Sequence, residues 1–279
     1  MDTQTVLVTG AAKGIGRATA VYLAERGMTV FAGVRTAKDG DALRAQSPRM
    51  HPLILDIANP EHIAAAAETI RTQVGERGLD GLVNNAGIAV AAPLEFVPLD
   101  DFRWQIEINL TAQLALTQAL LPCLRAARAS RIINVTSVGG RIAGRMMGPY
   151  HASKFAFEAL TDTLRQELRP WGIHAIAIEP GAIATPMWES GTQTAGALIA
   201  KMPPQAMTLY GQIIDRMRES APGNMVTGAP PEKVAAVIYK ALTHPRPRTR
   251  YTVGTDALIG DRVLRLLPDR LRDSIMARR

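Results

Sequence analysis

The chain has 279 residues, 47% hydrophobic, 20% charged and 5% aromatic, with a formal net charge of +7. This supplies enough apolar material for a substantial core, while the single cysteine, Cys123, excludes an intramolecular disulfide and a cysteine-based zinc site. The positive balance favours anionic ligands, yet there is no basic stripe interleaved with aromatics, so nucleic acid is not an expected partner.

In chain order, strand-like apolar runs fall at Thr5–Thr9, Thr29–Gly33, Pro52–Leu55, Leu79–Val83, Arg131–Thr136, Ile173–Ile178 and Arg250–Val253. Between them, helical periodicity marks Gly16–Arg26, Glu61–Val74, Leu110–Arg128, Tyr150–Arg169 and Pro231–Leu242. Such alternation predicts one doubly wound α/β domain over residues 1–279, with a seven-stranded parallel sheet flanked by helices. The rhythm breaks at about residues 185–230, a stretch without a strand that reads as a helical substrate-binding insertion or as helices with no role in binding. From about residue 255 to 279 a helical extension follows. No export leader is evident at the N-terminus, and the longest uncharged run, 108–124, carries too many polar residues to span a membrane, so a cytoplasmic chain is expected.

The first strand opens into "LVTGAAKGIGRATA". There Gly10 permits a sharp turn, Gly14 lets backbone amides approach a pyrophosphate, and Gly16 lets helix and strand pack closely, with the helix N-terminus favouring an anion. The second strand ends in "FAGVRTAKDG", with Arg35 where an NAD-selective site would place an acid, so Arg35 and Lys13 read as flanking a 2′-phosphate. Asp39 and Asp41 stand close enough to leave NAD open. "LVNNAG" closes the fourth strand in the same crevice, where Asn84 reads equally as a ligand contact or a loop brace.

Ser137, in "INVTSVGG", follows the fifth strand and is placed to polarise a carbonyl oxygen, though it reads equally as a turn residue. In "PYHASKFAFEAL" Tyr150 and Lys154 share a helix face at i, i+4, so that the lysine cation is expected to lower the phenol pKa toward the useful range. His151 falls on another face and is given no role, and no histidine has metal-ligand spacing.

In the order T-G-x-x-x-G-x-G, N-N-A-G, Ser, Y-x-x-x-K, P-G, the chain resembles the short-chain dehydrogenase/reductase family to about Gly254, most of all its 17β-hydroxysteroid and retinol dehydrogenase branch. The resemblance implies a Rossmann domain and hydride transfer between a nicotinamide cofactor, NADP(H) favoured over NAD(H), and a carbonyl carbon. It implies Asn109, Ser137, Tyr150 and Lys154 as the catalytic set, with Asn109 connecting the lysine to solvent through water. Cofactor contacts would come from Gly10, Ala12, Lys13, Gly14, Ile15, Gly16, Arg35, Asp56, Ile57, Asn84, Ala86, Gly87, Tyr150, Lys154, Pro180, Gly181, Ile183 and Thr185.

Apolar, adaptable residues near this site (Met146, Met147, Met187 and Trp188) are expected to join Ser137 and Tyr150 in holding a small lipophilic substrate. A rival substrate is a 3-oxoacyl thioester on an acidic carrier protein, and a rival class is a dinucleotide sensor lacking catalysis. The tail, with Leu264, Leu267, Leu271 and Ile275 among arginines and a break at Pro268, reads as packing on its own domain or a partner subunit, or as a weak membrane-surface contact. Apolar excess on Leu110–Arg128 and the Tyr150 helix, the faces through which family members commonly pair, leads us to expect a homodimer or homotetramer, with Cys123 buried in that interface and inert.

Overall fold

Alternate residues of each inner strand point to opposite sides of a sheet, and here both sides are apolar. On one side Val6, Val8, Val30, Ile133 and Ile176 pack with Leu23 and Ile238; on the other Leu7, Phe31, Leu82 and Ile132 pack with Ile70, Leu116, Leu120 and Leu164. Each such side chain contributes about 1.5–3 kcal/mol by leaving water, so a sheet covered by helices on both faces is the arrangement that this pattern stabilises.

The computed structural model describes residues 3–276, less the side chains of 188–194, 218, 220–226, 261 and 262. Seven strands, β1 (Thr5–Val8), β2 (Thr29–Val34), β3 (Met50–Ile54), β4 (Gly81–Asn84), β5 (Arg131–Val135), β6 (His174–Pro180) and β7 (Arg250–Val253), form one parallel sheet in the order β3-β2-β1-β4-β5-β6-β7. Strand order reverses between β1 and β4, which places a crevice beyond their carboxyl ends.

The helices are α1 (Gly14–Glu25), α2 (Ala37–Arg44), α3 (Pro60–Val74), α4 (Leu99–Ile106), α5 (Ala112–Ala126), α6 (Gly148–Glu167), α7 (Met187–Ala200), α8 (Pro204–Thr227), α9 (Pro231–Thr243), α10 (Thr255–Arg262) and α11 (Asp269–Met276). Two of them, α2 and α4, escape the sequence pattern because each is only eight residues long and half polar. A π-helical turn at Glu107–Thr111 joins α4 to α5. The residues between β6 and α9 are helical, as α7 and α8.

The tail breaks before α11, where Pro268 cannot continue a helix, and folds back on its own chain. A Cβ on Gly260 would sit 2.8 Å from Val138 Cγ2, and Met276 Cε lies within 3.3 Å of the Cβ position of Gly144. Leu264 is buried, whereas Leu271 is 51% exposed. Cys123 also departs from expectation: it is buried among Leu120, Leu124 and Leu79 of its own core, so no partner subunit is needed to cover it.

Candidate active site

Absent side chains shape one half of the crevice. Gly10 and Gly14 adopt φ of 63° and 57°, which L side chains resist, and a Cβ on Gly16 would lie 2.2 Å from the Gly10 carbonyl oxygen. Lys13, at the N-cap of α1, makes no capping hydrogen bond, and the first turn holds no acid, so the backbone N–H groups there are left to an anion. Ala12 and Ile15 are half-buried and pack on the core beneath this turn. These features fit a dinucleotide pyrophosphate.

At the end of β2, Arg35 is exposed, as is Lys13, and neither forms an ion pair among the described residues. The two nearby acids are engaged elsewhere: Asp39 accepts from Thr36 Oγ1 at 2.7 Å in capping α2, and Asp41 pairs with Arg44 at 3.2 Å. Asp56 Oδ1 accepts the Ala58 N–H at 3.1 Å, and Ile57 is buried beside it.

Beyond β4 the chain is tied by buried polar side chains. Thr9 Oγ1 accepts the N–H groups of Asn85 and Ala86, both at 2.9 Å, locking the ends of β1 and β4 together. Asn84 directs its amide to Thr117 Oγ1 and Asn134 Oδ1, at 3.0 and 2.9 Å, as a brace. Asn109 lies in the π-helical turn, where its Oδ1 accepts the Ile88 N–H at 2.9 Å and its Nδ2 donates to Ser153 Oγ at 3.1 Å. The Cβ position of Gly87 is 3.2 Å from Asn109 Oδ1, which fixes how close that loop can come.

Ser137, Tyr150 and Lys154 converge on the other half. Ser137 caps a short 3₁₀ turn, accepting the Gly139 N–H at 2.9 Å and donating to the Pro180 carbonyl at 3.4 Å, and it hydrogen-bonds the Tyr150 phenol. Lys154 is buried with Nζ donating to the Val135 carbonyl at 2.9 Å and lies 5.7 Å from the centre of the Tyr150 ring. Burial lowers the lysine pKa to about 8. Burial also pushes the Tyr150 phenol upward, against the Ser137 hydrogen bond that pulls it down. This differs from the lowered phenol expected from the i, i+4 spacing: the lysine ammonium is turned to a carbonyl of β5, and desolvation outweighs the Ser137 hydrogen bond.

The loop after β6 closes the crevice. A Cβ on Gly14 would touch Thr185 Cβ at 3.3 Å, Ile183 is buried, and the loop is held by Ala184 N–H on the Ala229 carbonyl at 3.0 Å and Ala182 N–H on Asp256 Oδ2 at 2.7 Å. Gly181 leaves room for that carboxylate, which would lie 2.3 Å from a Cβ.

Sequence reasoning passed over several of these ties. His151 accepts the Gly144 N–H on Nε2 at 3.0 Å while Nδ1 faces the Gly139 carbonyl at 2.8 Å, which requires the neutral Nδ1–H tautomer and anchors the serine loop. Gln105 and Gln113 hold the carbonyls of Ile88 and Ala86. Their one legible signal is a buried polar residue interrupting an apolar run.

At the mouth, Met146 has φ of 67° and joins Ala91, Ala195, Ile199 and Ile214 in an apolar cluster, with Met147 and Met202 against it. Met187 is 39% exposed, and the Trp188 side chain lies outside the described residues. A cavity of about 450 Å³ flanks the start of α6, lined by Leu94, Met146 and Ile213 but also by Glu95, Arg145 and Tyr210. Tyr210 donates to Glu95 at 2.8 Å across it. Among the described residues no acid, histidine or cysteine cluster could hold a metal, and no helix is long and apolar enough to cross a membrane.

A family profile described as short chain dehydrogenase matches residues 4–196. The chain belongs to the short-chain dehydrogenase/reductase family. It is 37% identical to mouse retinol dehydrogenase 5 over 97% of this chain and 87% of that one, and 36% identical to bovine 17-beta-hydroxysteroid dehydrogenase type 6 over 98% and 87%. The NADPH-dependent 3-dehydrocapnine reductase of Ornithobacterium rhinotracheale is 35% identical over 96% and 94%. A short-chain dehydrogenase of Burkholderia cenocepacia, solved in complex with NADP, superposes with a TM-score of 0.74 at 27% identity, covering 99% of this chain and 97% of that one. This family member is thus a dehydrogenase/reductase of the retinol and hydroxysteroid dehydrogenase-like branch, a family that binds NAD(P).

Proposed function

We propose that this enzyme interconverts a carbonyl and an alcohol on a steroid-, retinoid- or lipid-like substrate with NADP(H), using Tyr150 as its acid and base. The observation that carries the reading is the meeting of Tyr150, Ser137 and Lys154 at the same crevice as the glycine cradle. The cofactor, when bound, supplies or accepts hydride at its nicotinamide. Gly10, Gly14 and Gly16 would hold the pyrophosphate, with Asp56 and Ile57 near the adenine and Ala86, Gly87, Pro180, Gly181, Ile183 and Thr185 along the rest of the molecule. Lys13 and Arg35 favour a 2′-phosphate because both are exposed cations while Asp39 and Asp41 are engaged in and around α2. The NADPH-dependent relative supports the same choice.

In reduction, Ser137 polarises the carbonyl oxygen and Tyr150 donates its proton as the alkoxide forms. A phenol whose pKa is raised is fully protonated at neutral pH, the state that direction needs. Lys154 would hold the cofactor ribose. Oxidation asks Tyr150 to act as a base and gains as pH rises.

Met146, Met147, Met187 and Trp188 would line the lipophilic side of the substrate site, with α7 and α8 as its cover, in a chain acting as one cytoplasmic unit. Exposed Phe155 on α6, 43% accessible, fits pairing of subunits through α5 and α6 into a dimer or tetramer. The test is NADPH consumption over ketosteroids, retinal, 3-oxoacyl thioesters and small aromatic ketones, each repeated with NADH. Turnover of the first two classes, faster with NADPH, is expected. Turnover confined to acyl thioesters overturns the substrate class, and none with any carbonyl overturns the reaction.

A further inference from the structure

Behind the tyrosine and lysine lies a buried group of charges for which hydride transfer has no direct use. On α6, Glu158 follows Lys154 by four residues, so the two share a helix face, and Asp162 lies one turn further. Glu158 Oε2 is 3.0 Å from Arg250 Nε of β7 and 4.0 Å from Arg141 Nη1 of the serine loop. Glu179, the residue of β6 before Pro180, stands 3.3 Å from Arg250 Nε and 3.8 Å from Arg141 Nε, and it accepts from Thr252 Oγ1 at 3.1 Å. Arg250 also reaches Asp162 Oδ2 at 2.6 Å. Both glutamates are buried, so these charges act on their neighbours with little screening by water.

Lys154 shares the helix face of Glu158 and forms no ion pair among the described residues: its Nζ donates to a carbonyl, and the rings of Tyr150 and Phe157 lie 5.7 and 5.8 Å away. Of the charged groups packed about it, Glu158 is the one that opposes the effect of burial and favours the ammonium. Arg141 and Arg250 pair with that carboxylate. Its removal takes away the charge that offsets burial at the lysine and one partner of each guanidinium.

We propose that Glu158 is a positioning residue of the site: its buried carboxylate, one turn along α6 from Lys154 and held by Arg141 and Arg250, keeps the lysine cationic where the cofactor and Tyr150 require it. The cluster thereby sets the upper pH limit of the enzyme. This rests on the role given to Lys154 above, but its central claim concerns the charge state of one amine and is measured without turnover.

The chain has six lysines, so Nζ signals can be resolved by NMR after lysine labelling, with Lys154→Arg identifying the signal of interest. The full-length protein with no added cofactor is titrated from pH 6 to 11. Glu158→Gln is expected to move the Lys154 midpoint toward acid by about one unit or more, a roughly tenfold loss of ammonium above the midpoint. Arg250→Gln leaves the carboxylate less compensated and moves it toward alkali, while Glu158→Asp, which keeps the charge, stays near wild type. NADPH affinity in Glu158→Gln should match wild type at pH 6.5 and fall severalfold at pH 8.5.

A structural role alone would shift both neutralising variants in one direction or neither, with similar losses of Tm. Either result overturns the proposal, as does an unmoved midpoint in Glu158→Gln; should that variant not fold, an alkaline shift in Arg250→Gln beside an unmoved Glu158→Asp supports the proposal, and an unmoved or acid-shifted Arg250→Gln overturns it. A wild type that reduces no ketone, combined with the expected midpoints, would sink the proposed reaction and leave the role of Glu158 intact.

Discussion

The two halves of the crevice work by opposite means. Around β1 and α1 the site is made by omission: glycines remove Cβ atoms, the helix cap makes no side-chain bond, and the cations Lys13 and Arg35 lie exposed at the rim. Around β5, β6 and α6 it is made by insertion, with Ser137, Lys154, Glu158 and Glu179 all buried and each engaged by named partners. Shape suffices to receive a pyrophosphate, whose charge is met by backbone dipoles at no conformational cost. Moving a proton requires side chains whose pKa values are shifted, and that requires burial.

Four substitutions sharpen this contrast. Tyr150→Phe should reduce kcat by about a hundredfold to ten-thousandfold, the range of general acid catalysis, while NADPH binding followed by fluorescence stays within about twofold. Retained turnover would take the phenol out of the mechanism. On the other half, Arg35→Asp should cost NADPH about 1.5–3 kcal/mol, or roughly tenfold to a hundredfold, and improve the standing of NADH. An unchanged ratio of kcat/KM for the two cofactors would refute the phosphate contact.

Gly16→Ala probes shape directly. With a Cβ 2.2 Å from the Gly10 carbonyl and 2.5 Å from Asn85 Nδ2, the turn must shift, so about 1–3 kcal/mol of stability and much of the NADPH affinity should be lost together. Loss of neither in melting and binding assays would show that the turn yields at no cost. The smallest effect belongs to His151→Leu, which removes the two hydrogen bonds that tether the serine loop. It should raise KM severalfold with a modest fall in kcat.

His151 also predicts a pH effect. Burial lowers its pKa below the ordinary 6.5, so the neutral ring's contribution to stability is complete above that value and fades as pH falls toward the folded-state pKa. Wild type should therefore lose Tm on acidification in this window, and His151→Leu should lose less. In the other direction, NADPH affinity should weaken as pH rises through about 8, where Lys154 deprotonates.

Much of this was legible from residue order alone. Strict apolar runs with β-strand length, separated by amphipathic segments, dictate a two-sided sheet, and β7 falls on Arg250–Val253 as the sequence pattern predicts. The "TGAAKGIG" turn, Ser137 and the Tyr150–Lys154 pair are visible because each acts through its local backbone or one helix face. Less legible were α2 and α4, too short and polar for periodicity to register, and the π-helical turn carrying Asn109, which leaves the apolar period on either side intact.

What tertiary structure alone decided is where charge and polarity are buried. Nothing in the order of residues brings Glu158 of α6 to Arg141 and Arg250, Thr9 to Asn85, or the tail onto the serine loop; these contacts span 17 to more than 90 positions of chain. Nor does spacing reveal that desolvation would raise the Tyr150 phenol. Local sequence specifies which groups are present and which face of an element they share. Their pKa values and partners depend on solvent exclusion, a property of the packed whole.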